Sequence, residues 1–233
     1  MSPTPACRRH QGGFTLMEMA VVLVIIALIL GGVSVGRDVY RSAQAERIGS
    51  EFVQGWVLAY ERYTQQTASV PGDNPGAPSG RINAMADKPL CDQALHDALL
   101  GVGISLPGGR AEGLNSRALY QDANGAPQEV QICLLAIDDW AEPAAGRSAV
   151  LRKRNVMRLT GLTPELARQL DARIDGKVDA RHGSLRELGQ HNRTGLLVIG
   201  ADHPWSQDEL DGHRRHHDSA AVPTLTAYLR LSQ

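Results

Sequence analysis

The stretch GFTLMEMAVVLVIIALILGGVSV, residues 13–35, decides the fold of this chain. Beyond Glu18 it holds no charged residue, and 17 uncharged positions run from Met19 to Val35. As a helix, the 22 residues from Phe14 to Val35 are long enough to cross most of a hydrocarbon core about 30 Å thick. β-branched residues also suit strands, but in lipid only a helix satisfies its own backbone groups. The stretch therefore predicts a membrane-spanning helix.

A secretory signal peptide and a plain signal anchor are two alternatives for such a stretch. A signal peptide has an apolar region of roughly 7–15 residues, followed by a small-residue cleavage site. The apolar run here is longer than that. The small glycine residues after it mean that residue type alone does not exclude cleavage on that side. Neither alternative accounts for Glu18, because an ionisable side chain costs about 2.5–3.5 kcal/mol at the bilayer centre and usually marks function.

The residues before the apolar run complete a recognisable signal. The leader is short and polar and carries Arg8 and Arg9, which favour a cytoplasmic location. Together with Gly13, Phe14 and Glu18, this leader and the apolar run resemble the class III signal of type IV prepilins.

The resemblance implies how the chain is processed and assembled. Prepilin peptidase is expected to cut after Gly13 and to methylate the new N-terminus at Phe14. Glu18 is expected to neutralise the terminal ammonium group of a neighbouring subunit in the filament core, since two opposite charges desolvated together cost less than either alone. The implied partners are the peptidase, other pilin or pseudopilin subunits and the inner-membrane assembly platform. The chain is expected to cross the inner membrane once, with its head in the periplasm, and then to enter a pilus or pseudopilus at the cell surface.

The predicted fold is α+β and pilin-like, with a long N-terminal helix packed on an antiparallel-sheet head. The expected divisions are a leader at 1–13, a transmembrane or filament-core helix at 14–36, an amphipathic continuation at 37–69 and a globular head at 70–233. No proline interrupts the membrane half, so glycines are the predicted bend or melting points: Gly31, Gly32 and Gly36.

An amphipathic pattern carries the helix beyond the membrane. Apolar residues recur every three or four positions at Ile48, Phe52, Trp56, Tyr60 and Tyr63, which predicts one helix face against the head. The helix is expected to stop near residue 67, because the Val-Pro-Gly that follows cannot continue it.

The head shows local signals for further elements. We predict a short helix at Pro89–Gly101, which contains Cys91. Two strands follow, at Arg117–Tyr120 and Glu129–Ile137, on either side of a turn at 122–125, and the second strand contains Cys133. After a loop at Asp138–Arg147, we predict a helix at Pro164–Ile174 capped by Thr163, and two late strands at Gly195–Gly200 and Thr224–Leu231.

The chain contains three cysteines, whose pairing depends on the redox compartment of the head. Cleavage after Gly13 removes Cys7 and leaves Cys91 and Cys133. In an extracytoplasmic head these two are expected to form a disulfide, which would contribute about 4 kcal/mol by loop-closure entropy. Two buried free thiols are the alternative.

Other clusters of polar residues predict no chemistry. His213 and His217 are four residues apart, and two histidines at this spacing on a helix could chelate a metal. The segment is, however, predicted to be a solvated loop. Asp171, Asp175 and Asp179 do not alternate as EF-hand ligands do, and they read as a turn or a charged helix face. No catalytic residue, metal site or cofactor is expected, and the chain is not expected to be an enzyme. The question of calcium or another metal near Asp175/Asp179 or the histidine loop stays open.

The sequence predicts a minor subunit of a type IV pilus or a type II secretion pseudopilus. Removal of the leader leaves 220 of 233 residues, more than typical major pilins of the short-leader class have. The alternative is a pilin-anchored tip module that binds DNA or a surface ligand, for which the long loops from 71 to 146 and the basic stretch near 152–154 are the only support. The net charge of −1 argues against a protein-wide basic field. A membrane-anchored enzyme finds no support.

Overall fold

The structure is a computed structural model that describes residues 14–144, 149–195, 202–206 and 222–232. Residue contacts divide the chain into two compact units, one up to Ser42 and one from Ala43 onward. The fold is α+β, with an apolar N-terminal helix and an antiparallel sheet of six strands, as predicted.

The N-terminal helical region consists of three consecutive elements. They are helix α1 (Leu16–Arg47), a π-helical turn (Ile48–Val53) and helix α2 (Gln54–Thr67). Helix α2 ends where the sequence predicted, because Ala68 takes a left-handed conformation and its N–H bonds to the Thr64 carbonyl. Helix α1 is continuous through its three glycines, and bending or melting at these positions stays a prediction. The sequence did not predict the π-helical turn.

The sheet is built around two long central strands, β3 (Pro127–Pro143) and β4 (Ala149–Leu162). One edge of β3 pairs with two short strands, β1 (Leu90–Cys91) and β2 (Arg117–Gln121). On the far side, β4 pairs with β6 (Leu225–Arg230), which pairs with β5 (Leu185–Glu187). Two further α-helices lie in the head, α3 (Asp92–Leu100) and α4 (Pro164–Asp175), together with a short 3₁₀ helix (Ile82–Ala84).

One face of the sheet carries the main hydrophobic core. Strand residues Ile132, Leu134 and Met157 lie in one buried cluster with the aromatic residues Trp56 and Tyr60 of α2. The apolar stripe predicted for this helix is therefore the core face of the head. Since successive side chains of a strand point to opposite faces, the alternate residues form a smaller second cluster: Leu135, Ile137, Trp140, Val156 and Tyr228.

Helix α4 confirms a local prediction. Pro164 occupies its first turn, and the side chain of the N-cap residue Thr163 accepts a hydrogen bond from the Leu166 N–H. Strand β6 also lies where the sequence predicted it.

Two local predictions were wrong. Cys91 lies in β1, directly before α3, and not within a helix. Residues 138–143 of the predicted loop are strand, since β3 continues to Pro143 past an irregularity between Ile137 and Trp140. The predicted strand at 195–200 falls almost entirely outside the described residues.

Candidate functional site

The first residues of the described chain form the start of helix α1. Phe14 is exposed, and the predicted cleavage residue Gly13 lies outside the described residues. The Thr15 carbonyl accepts a hydrogen bond from the Met19 N–H, so Thr15 is the N-cap. The Thr15 N–H and hydroxyl both donate to Oε2 of Glu18, at 2.8 and 3.0 Å. The Thr15 hydroxyl in turn accepts from the Glu18 N–H at 3.2 Å.

This reciprocal arrangement is a capping box. It satisfies two backbone N–H groups that the first turn of a helix would otherwise leave unpaired. The signal for it was the Thr-x-x-Glu spacing of residues 15–18, which the sequence analysis did not use. Glu18 therefore has a structural role within its own chain in addition to the assembly role that the resemblance implies.

The apolar part of α1 is not buried in the described chain. An 18-residue window, Leu16–Val33, has a mean hydropathy of 2.7 and none of its residues is buried, so it is long and apolar enough to cross a membrane. Leu16, for example, is 92% exposed and Leu28 72%. Exposed apolar surface on this scale marks a contact with lipid or with other proteins.

The two remaining cysteines form the predicted disulfide bond. Cys91 and Cys133 are directly paired residues of the antiparallel strands β1 and β3, with Cα atoms 4.5 Å apart. The bond closes a sequence separation of 42 residues and joins the start of α3 to the centre of the sheet. Arg158 of the neighbouring strand places Nη2 3.6 Å from the Cys133 sulfur.

The three aspartates spaced by four have different surroundings. Asp171 is fully buried on α4, and burial raises the pKa of its carboxyl to about 7. Asp175 accepts backbone N–H groups of Ser184 and Leu185, which organises the loop before β5. Asp179 lies within that loop. The prediction of a turn thus fits Asp179, whereas Asp175 is the last residue of α4 and Asp171 is a buried helix residue and not part of a charged surface.

The other two polar clusters are described in part or not at all. His213 and His217 lie outside the described residues. In the basic stretch, Arg152 and Lys153 are exposed on β4, while Arg154 makes a bidentate ion pair with Glu142. The basic stretch lies in strand β4, which begins at residue 149.

Comparison with known proteins gave one match. Residues 8–34 match the family model described as the prokaryotic N-terminal methylation motif. No curated protein and no solved structure matched the chain.

The matched motif is the prepilin signal of type IV pilins and pseudopilins. The match supports a type IV pilin-like or pseudopilin subunit, and it points to a structural protein and not to an enzyme. It also implies processing by prepilin peptidase and assembly with other pilin subunits. The apolar helix α1, which contains most of the matched residues, suggests anchoring in a membrane.

Proposed function

We propose that this chain is a minor subunit of a type IV pilus or of a type II secretion pseudopilus, cut after Gly13 and assembled through its N-terminal helix. One observation carries the proposal: the matched prepilin motif, residues 8–34, contains the apolar window Leu16–Val33, none of which is buried. A helix of this kind needs lipid before assembly and neighbouring helices after it.

The division of the chain follows from the same proposal. Residues 1–13 are the leader that the peptidase removes, residues 14–36 the membrane or filament-core helix, residues 37–69 its amphipathic continuation, and residues 70–233 the head. The leader remains cytoplasmic and the head enters the periplasm. The disulfide between Cys91 and Cys133 supports this topology, because disulfides persist in oxidising compartments.

The minor role rests on size. The mature chain of 220 residues exceeds the length typical of major pilins with short leaders, and a large head is easier to accommodate at sparse or terminal positions of a filament.

The test is the mass and N-terminal sequence of the mature protein. We expect N-methyl-phenylalanine at Phe14 in cells that contain a prepilin peptidase, and the intact precursor in cells that lack one. Gly13→Val should block the cut, whereas the matched variant Gly12→Val should be processed normally. A mature protein that begins at Met1, or a Gly13→Val variant that is cut normally, would refute the proposal.

The second candidate is a pilin-anchored tip module that binds DNA, and the exposed pair Arg152 and Lys153 on β4 favours it. Phosphate contacts of this kind lose affinity steeply as salt rises. Retention of the full chain on DNA at low salt, lost in the Arg152→Gln/Lys153→Gln variant, would support this candidate. No retention at low salt would refute it.

A further inference from the structure

Three potential metal ligands converge on one side of the head. Asp179 and His182 lie in the loop between α4 and β5, and His203 lies in the described segment 202–206. His182 Nδ1 is 3.4 Å from one carboxylate oxygen of Asp179, and His203 Nδ1 is 3.3 Å from the other. One ligand atom from each residue can be chosen so that all three lie within 4.8 Å of one another. We propose that Asp179, His182 and His203 bind one divalent transition-metal ion of the Zn²⁺ class.

The chain holds both ligand-bearing segments against helix α4. Oδ2 of the buried Asp171 accepts hydrogen bonds from the Asp179 backbone N–H and from the Trp205 indole N–H, at 2.8 and 3.0 Å. The Ala180 N–H donates to the His203 carbonyl at 2.8 Å, which joins the two segments directly. Asp179 and His203 are thus positioned by bonds that do not involve their potential ligand atoms.

The Asp179 carboxylate is itself fixed in place. Its Oδ1 accepts the N–H groups of Arg181 and His182, both at 3.0 Å. Groups behind the ligands that orient them are typical of metal sites, and changing such a group commonly lowers metal affinity 10–100-fold. The site is therefore arranged before any ion arrives.

The distances and the ligand types favour zinc over calcium. Metal–ligand bonds of about 2.0–2.1 Å in a tetrahedral site place neighbouring ligand atoms about 3.4 Å apart. The distances from His182 Nδ1 to Asp179 Oδ1 and from His203 Nδ1 to Asp179 Oδ2 are each close to this value, but they end on different oxygens. The three ligand atoms lie within 4.8 Å of one another, so an ion would draw them together by at most about 1.4 Å. Calcium takes six to eight oxygen ligands, whereas two imidazoles and one carboxylate suit zinc and its neighbours in the first transition row.

The three side chains leave access for an ion. The Asp179 side chain is 10% exposed, that of His203 23% and that of His182 39%. The imidazole rings lie with their centroids 4.9 Å apart and a tilt of 36°. In the absence of an ion, each Nδ1–H can donate a hydrogen bond to one oxygen of Asp179. These atoms therefore have partners both with and without a bound ion.

An ion at this position would join the segment 202–206 to the loop after α4 by coordination bonds. It would stabilise the folded head, since a ligand that binds only the folded state raises the melting temperature. The expected role is structural.

The experiment uses the full chain, purified in detergent without a polyhistidine tag and treated with a chelator. Titration with Zn²⁺ alone, followed by calorimetry and by competition with a chromophoric chelator, should show one ion per chain and a higher melting temperature for the head. His182→Gln and His203→Gln should each lower the affinity at least tenfold and abolish the rise in melting temperature. Excess Ca²⁺ should not displace the ion.

The control removes the other candidate pair of histidines. The His213→Gln/His217→Gln variant should bind Zn²⁺ as the wild type does. If His203→Gln unfolds, as judged by Trp205 fluorescence, the more exposed His182→Gln decides the test. The proposal is overturned if the wild type binds no Zn²⁺, if His182→Gln binds it with unchanged affinity, or if only the His213/His217 variant loses it.

Discussion

Glu18 lies at the third position of helix α1, where its carboxylate closes a capping box with Thr15. The charge of Glu18 and its hydrogen-bonding capacity are separable, because a glutamine can also serve at this position of a capping box. A variant that keeps the cap and loses the charge therefore distinguishes the local role from the proposed assembly role.

We predict that Glu18→Gln and Glu18→Ala are both inserted and processed but enter the filament at least tenfold less than the wild type. A charge-assisted hydrogen bond contributes about 1.5–3 kcal/mol, and about 1.4 kcal/mol corresponds to tenfold. Thr15→Ala, which weakens the cap and keeps the charge, should still assemble. The measurement is the amount of mature protein in sheared filaments relative to membranes. Normal assembly of Glu18→Gln would show that the cap, and not the charge, is what assembly requires.

His96 is a titratable group deep in the core of the head. It is 2% exposed, its ring lies near Trp56, and its Nε2 has no hydrogen-bond partner in the described part of the chain. Burial lowers the pKa of His96, against the opposing effect of Asp92 and Asp97. The unfolded chain therefore takes up a proton near pH 6.5 that the folded chain resists, so stability is full above this pH and is lost as pH falls toward the folded pKa.

We predict that His96→Leu reduces this acid sensitivity. The variant should lose less unfolding free energy than the wild type between pH 7.5 and pH 5, because it carries no imidazole whose burial opposes protonation. Urea unfolding followed by tryptophan fluorescence at the two pH values measures it. If the unfolding free energy changed equally with pH in both proteins, His96 would not be the source of the acid sensitivity.

At the level of elements, local signals predicted most of the helices. The end of α2 and the start of α4 follow from a helix-stopping Val-Pro-Gly and from a Thr-Pro cap, both contained in a few residues. The sequence predicted no strand at 149–162 and so missed β4; Arg152 and Lys153 in its first half are both exposed and show no apolar alternation. The order of the strands and the approach of His203 to Asp179 depend on pairing between distant residues, which no local pattern encodes.

The irregularity near the end of β4 depends on a glycine. The register with β6 shifts between Thr160 and Leu162, and Gly161 between them has φ of 80°. Its carbonyl accepts a hydrogen bond from the Tyr120 hydroxyl at 2.7 Å. A Cβ atom at Gly161 would lie 2.1 Å from the Glu129 carbonyl oxygen, so both the conformation and the space exclude a side chain.

We predict that Gly161→Ala destabilises the head by more than about 2 kcal/mol, since it adds a backbone clash to a strained φ. Gly125→Ala is the matched control, because Gly125 has the same φ of 80° but no atom within 4 Å of an added Cβ. The control should cost about 1 kcal/mol from conformation alone. Urea unfolding of both variants gives the difference, and equal costs would mean that the strand moves aside without penalty.

At the scale of the whole molecule, the two compact units differ in how much of their own apolar surface they bury. The unit from Ala43 onward buries its own core on both faces of the sheet and joins α3 to the sheet by a disulfide. The window Leu16–Val33 buries nothing within the described chain. The unit from Ala43 onward thus buries its own apolar surface, whereas the window Leu16–Val33 depends on lipid or on other subunits.

We predict that Val24→Arg/Ile25→Arg, at the middle of the window Leu16–Val33, shifts the precursor from membranes to the soluble or aggregated fraction. Two arginines at the centre of a span cost roughly 5–7 kcal/mol, twice the single-residue value. Val39→Arg/Ala43→Arg is the matched control, since both of its sites are exposed residues of α1 beyond the window; it should stay in the membrane fraction after carbonate extraction. If both variants were retained equally, the window would not be the segment that spans the bilayer, and the assembly route proposed for this chain would lose its physical basis.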